Sequence, residues 1–232
     1  MKRTFTTPTA IALFIMMSGF GLTGLSAQET RDLKPFTGIG IGISADVFYT
    51  SGNTHEIKIE GNDRDVKDLI TEVEDGYLKL RYDDWNQSRS KLTIHIASAE
   101  LEKVSVSGSA QFKAEKPVSA EEMSIAISGS GSILFSALDA KELDVKISGS
   151  GNTILEKGTA EEMDAKISGS GKILAEHFEV EEFSAAISGS GSCRITVKDE
   201  LEARLSGSGS VYYHGNPQVN TVASGSGKVK SL

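Results

Sequence analysis

The side chains in this sequence that could do chemistry recur at intervals and do not gather at one place. Glutamates stand at Glu122, Glu142, Glu162, Glu182 and Glu200. Serines stand in pairs at Ser128 and Ser130, Ser148 and Ser150, Ser168 and Ser170, and Ser188 and Ser190. If the repeats stack, the glutamates form a column of carboxylates about 4.8 Å apart and the serines form a flat array of hydroxyls. Carboxylates at that spacing repel by about 1 kcal/mol per pair in water unless cations, or lysines such as Lys141, relieve them. Calcium takes several carboxylate and carbonyl oxygens, which makes the glutamate column a weak calcium candidate beside the plainer reading of a solvated turn. The nonapeptide calcium repeat G-G-x-G-x-D is absent, with serine where its aspartate belongs. The hydroxyl array suits hydrogen bonding to a polysaccharide or the ordering of water, and equally a small polar corner. Trp85, with Tyr82 nearby in RYDDWNQSRS, can stack on a sugar ring or close the apolar end of a stack.

Other chemistries find no support. None of the repeated serines lies in a G-x-S-x-G elbow, and no histidine recurs with them. His55, His95, His177 and His214 share no ligand-like spacing, and His95 falls at an outward strand position. GIGIGI at 38–43 lacks the G-x-G-x-x-G spacing of a dinucleotide loop and leads into a strand pattern. No catalytic residue and no cofactor is expected.

The elements that must position these ladders are strands. The first serines of the SGSG-like units are Ser107, Ser128, Ser148, Ser168, Ser188, Ser206 and Ser224, at intervals of 21, 20, 20, 20, 18 and 18 residues. A flexible linker has no reason to keep a period, whereas a stacked repeat does. Five, three and one positions before the serine stand apolar residues, as in Leu143, Val145 and Ile147, with Asp144 and Lys146 between them. That alternation marks a strand buried on one face. It continues through the glycines, so Gly129, Gly131, Gly149, Gly151, Gly169, Gly171, Gly189 and Gly191 are the expected structural corners, where an inward Cβ would not fit or φ turns positive. The serines between them face water. The expected fold is all-β, a parallel β-helix-like solenoid with coils of about 18–21 residues.

Residues 1–27 read as a secretory signal peptide: Lys2 and Arg3, a short apolar core over 10–21, and a small-residue site at Ser26-Ala27. The apolar run is too short for a comfortable membrane span, and the rest of the chain has no other long one. Residues 28–105 are less regular but β-rich, with a hairpin signal at Asp75-Gly76, and read as an amino-terminal β cap and first irregular coils. Residues 106–232 are the regular SGSG-cornered coils, one continuous domain with the preceding region. The formal net charge of −8 becomes −10 once Lys2 and Arg3 are removed, which argues against nucleic acid. Cys193 is the only cysteine, so no intrachain disulfide can form.

The export signal, LKPFTGIGIGISADVFY, VEDGYLKLRY and the serial ISGSG coils together resemble the head GIN domain family, exported autotransporter-adhesin-type proteins of Bacteroidetes-type bacteria. The resemblance spans about residues 31–230. It implies a right-handed β-helix-like solenoid in the periplasm or at the cell surface, and it supplies no catalytic motif. The expected function is non-catalytic: an adhesion or binding module presenting flat faces to a polysaccharide or envelope protein. The alternatives are a passive envelope component and a polysaccharide-degrading β-helix enzyme, the latter disfavoured because the acidic residues follow the repeat. Exposed coil ends also raise self-association, end to end or face to face.

Overall fold

A computed structural model describes residues 26–84 and 87–232. The expected signal peptide lies outside the described residues except for Ser26 and Ala27, and Trp85 lies outside them too. The chain is all-β, 72% strand against 3% helix, wound into stacked parallel coils of about six turns.

The amino-terminal part comprises β1 (Ser26–Asp32), β2 (Gly38–Ile41), β3 (Ala45–Ser51), β4 (Glu56–Asn62), helix α1 (Asp63–Asp68), β5 (Ile70–Glu74), β6 (Tyr77–Arg81) and β7 (Leu92–Ser98). The coils that follow use β8 (Lys103–Gly108), β9 (Gln111–Ala114), β10 (Val118–Gly129), β11 (Ser132–Phe135), β12 (Leu138–Gly149), β13 (Asn152–Leu155) and β14 (Gly158–Gly169). They continue through β15 (Lys172–Gly189), β16 (Ser192–Gly207), β17 (Ser210–His214), β18 (Gln218–Gly225) and β19 (Lys228–Ser231).

Each regular coil has three segments, seen in residues 118–135. The first, 118–120, pairs in parallel with 138–140 of the next coil, and the second, 122–129, with 142–149. The third, 132–135, pairs with 152–155. Consecutive exposed residues Glu121 and Glu122 mark one corner, where the chain turns before Met123 goes inward. The SGSG unit is the next. Parallel pairing in register stacks like on like: Ile127, Ile147, Ile167, Ile187 and Leu205 form one inward ladder, and all are buried. Bulk is traded within a coil. Where the ladder of Ile125 and Val145 shrinks to Ala165 and Ala185, Phe178 and Phe183 enter the core, keeping it filled.

One core position breaks the pattern. Thr153 stacks between Ile133 and Ile173, is 0% exposed, and its Oγ1 has no hydrogen-bond partner among the described residues. A buried hydroxyl without a partner costs about 1–3 kcal/mol. Thr153→Val keeps the shape and removes the hydroxyl. It is expected to stabilise the protein by about 1 kcal/mol, raising Tm by roughly 2–4 °C in calorimetry.

The order of coils in space is not the order in sequence. Strand β2 lies between β6 and β8, and β3 between β7 and β9, all parallel. The first coil of the chain is therefore covered by a later one. The outer coil is in turn covered by antiparallel strands: β4 on β7, β1 on β4, and β5 on β6. These close the end that a bare stack would leave unpaired. The β5–β6 hairpin turns at Asp75 and Gly76 with φ of 50° and 72°, the left-handed pair of a two-residue hairpin turn. Helix α1 has no counterpart in the sequence reading. Asn62 caps it by accepting from Arg64 N, and Val66 and Asp65 are buried beneath it. Arg31 of β1 donates to the carbonyls of Val66 and Leu69 at 2.9 and 2.6 Å, pinning β1 to the helix C-terminus.

Candidate functional site

The two glycines of a corner answer to different constraints. Gly149 has φ +119°, and a Cβ on it would lie 2.4 Å from Gly129 O of the coil below. Gly151 is buried, and a Cβ there would lie 2.5 Å from Ile127 Cγ2 and 2.6 Å from Gly131 O. Gly129, Gly169 and Gly189 share the positive φ of Gly149. Gly131, Gly171 and Gly191 share the inward position of Gly151. Between them the serines turn out to water. Ser128, Ser148, Ser168 and Ser188 are in register and exposed. Ser130, Ser150, Ser170 and Ser190 are exposed too, their N–H groups donating to the preceding coil, as Ser150 N does to Gly129 O at 2.8 Å. Among the described residues none of these eight hydroxyls bonds to another protein group. A groove of about 480 Å³ runs beside Ser128, Ser148 and Ser168, with Lys146 and Lys166 on it.

The glutamates are also in register, Glu122 to Glu142 to Glu162 to Glu182 to Glu200, and all are exposed. Lys141 pairs with Glu121, beside this column. The column borders a groove of about 670 Å³ that also takes in Asp144, Asp164 and Tyr77. Lys146 neutralises Asp144 at 3.2 Å. Among the described residues no group of three or more acidic, histidine or cysteine side chains is placed to hold a metal ion.

Tyr77 explains the first two glycines of GIGIGI. Its ring crosses β2, where Cβ atoms on Gly38 and Gly40 would lie 2.4 and 2.7 Å from it, and its hydroxyl meets Ser105 Oγ at 2.6 Å. Tyr82, half-buried, donates to Asp65 O at 3.2 Å and carries the Arg89 guanidinium over its ring at 4.4 Å. It belongs to the cap. Burial pushes the Cys193 thiol up, which keeps it a core residue and not a nucleophile.

A further ladder lies on the segment after the SGSG corner. Sequence reasoning followed the inward residues there and passed over the outward ones. Phe48, Lys113, Leu134, Ile154, Leu174, Arg194, Tyr212 and Lys230 are consecutive rungs of one outward column. Leu174 is 37% exposed, and Leu134 and Ile154 are partly exposed. His95 continues the column beyond Phe48, its ring stacked on Phe48 with centroids 5.2 Å apart. The signal was present in SILF, NTIL and KILA, where an aliphatic residue stands at the outward position directly after the inward one.

The geometry defines an all-β solenoid that repeats its outward side chains as columns along three kinds of strand segment. The chain belongs to the family described as "Putative auto-transporter adhesin, head GIN domain", whose model matches residues 35–217. Solved structures share the fold. A "putative adhesin" from Bacteroides fragilis is 24% identical with a TM-score of 0.84, over 90% of this chain and 98% of that one. A "putative adhesin" from Parabacteroides merdae is 24% identical with a TM-score of 0.73, over 89% of this chain and 96% of that one. A "putative lipid binding protein" from Parabacteroides distasonis is 24% identical with a TM-score of 0.69, over 88% and 96%. No curated protein matches.

Proposed function

We propose that the protein is an exported, non-catalytic binding module that presents flat solenoid faces to a glycan or another envelope component. In this reading residues 1–27 direct export, 28–105 form the cap and irregular coils, and 106–232 carry the regular ladders. The observation that supports it most is the register itself. The exposed serine pairs repeat coil after coil with their hydroxyls unengaged by protein, as a surface that meets a repeating polymer requires. Family membership in an adhesin-type group agrees with it.

The test is a screen of the exported chain against bacterial and host polysaccharides, scoring bound polymer and released reducing ends in the same wells. Binding without release is the expected result. Affinity spread along a ladder also implies that Ser148→Ala alone costs less than about threefold, whereas alanine at Ser128, Ser148, Ser168 and Ser188 together costs well over tenfold. Released oligosaccharide would overturn the reading in favour of an enzyme. Silence in both assays would leave a structural envelope component.

A further inference from the structure

The outward surface of the segments after the SGSG corner carries more cations than acids, although the chain as a whole is acidic. From β9 to β19 its two outward columns run Gln111, Ser132, Asn152, Lys172, Ser192, Ser210, Lys228 and, beside it, Lys113 to Lys230. These columns hold five cations, Lys113, Lys172, Arg194, Lys228 and Lys230, and no acidic residue, in a chain whose formal net charge is −8. The nearest acids flank the columns. Glu115 pairs with Lys113 at 2.9 Å and Glu176 with Arg194 at 2.6 Å. Lys172, Lys228 and Lys230 have no acidic partner among the described residues.

Between the cations lie Leu134, Ile154 and Leu174 on three successive coils. A solvent-facing strand position ordinarily takes a polar residue, and three adjacent aliphatic ones make a continuous apolar strip. The central rungs are aliphatic, and Tyr212 stands two rungs beyond Leu174. Aliphatic side chains with cations at either end and Lys172 alongside match an interface with acyl chains beneath a layer of negative headgroups. Seven rungs give this flat face a length of about 29 Å, so several headgroups can be met at once.

We infer that this face docks the protein on an anionic lipid surface. The glutamates and the first serine of each pair lie on the preceding segment, so failure of glycan binding and failure of lipid binding are separate results.

The experiment is flotation of the full chain, as exported, with vesicles of phosphatidylcholine alone and of phosphatidylcholine containing one-third phosphatidylglycerol. Flotation with the anionic vesicles only, weakening as salt rises, is the expected result. The triple variant Leu134→Thr, Ile154→Thr, Leu174→Thr is expected to lose at least tenfold in affinity. Lys172→Glu with Lys230→Glu is expected to lose more than twentyfold, since each lysine near such a surface contributes about fivefold. Lys166→Glu, on the serine groove, should change little. Leu174→Ser, at the most exposed rung, serves if the triple variant unfolds in a thermal melt, and a clear loss of affinity is again expected. No flotation of the wild-type chain would overturn the inference. So would flotation unaffected by the face variants, or binding to a soluble uronic-acid polymer that outcompetes the vesicles.

Discussion

Gly149→Val and Gly151→Val, made singly, are each expected to destabilise the protein by about 3 kcal/mol or more, as large as a severe core substitution. The reason lies in the coil below and not in the glycine alone. Gly129 O accepts from Ser150 N at 2.8 Å, and a side chain at Gly149 would press on that same oxygen from 2.4 Å. Gly131 O accepts from Asn152 N at 3.1 Å, and a side chain at Gly151 would meet it at 2.6 Å. Each substitution therefore forces two coils apart or breaks a ladder hydrogen bond, and Gly149 adds the strain of a positive φ. Ser148→Ala and Ser150→Ala are expected to stay within about 0.5 kcal/mol, because both side chains point to water. Urea unfolding of the four variants checks this directly. A costly serine pair with a tolerant glycine pair would mean that the corner is inside out.

The regular coils were legible because one physical pattern dominates them. Strict alternation in segments such as Leu143-Asp144-Val145-Lys146-Ile147, repeated every 18 to 21 residues, leaves few choices besides stacked strands. The amino-terminal end was legible as β-rich and in its Asp75-Gly76 hairpin, but not in the order of its coils. Its alternating segments show which residues pair inward, but nothing local in β2 tells it to lie between β6 and β8. That order depends on long-range contacts, among them Tyr77 lying across Gly38 and Gly40. Helix α1 is six residues long, too short to show a helical period. The candidate ladders were legible as ladders, since register follows from the repeat. The aliphatic column Leu134, Ile154 and Leu174 was missed for an instructive reason. Each of these residues follows an inward neighbour, Ile133, Thr153 or Ile173, and the parity that marks those neighbours as core says nothing of an aliphatic residue on the outward side.

Asp65→Ala is the second large effect, and it tests whether the cap is held by one polar knot. Asp65 is 4% exposed, its carboxylate accepting from Ser90 N at 2.8 Å and from Arg89 Nη1 at 3.2 Å. Arg89 also reaches Asp68 at 2.6 Å and covers the Tyr82 ring. Removing the carboxylate strands the Ser90 N–H and leaves Arg89 with Asp68 alone, with an expected loss of about 3 kcal/mol in urea unfolding. Arg89→Ala should destabilise in the same direction. Tyr82 provides an independent readout. Burial first, and then the Asp65 charge, push its phenol up to about 12 from an ordinary value of 10. A phenol raised in the folded state contributes stability that is complete below pH 10 and is lost as pH rises through about 12. Asp65→Ala removes the second cause, so Tyr82 should ionise at lower pH, read as the difference in ultraviolet titration between chains with and without Tyr82→Phe. If Asp65→Ala leaves both stability and that titration unchanged, the loop between β6 and β7 is held by something other than this knot, and helix α1 is a bystander. If both move together, the cap that closes the stack depends on a single carboxylate.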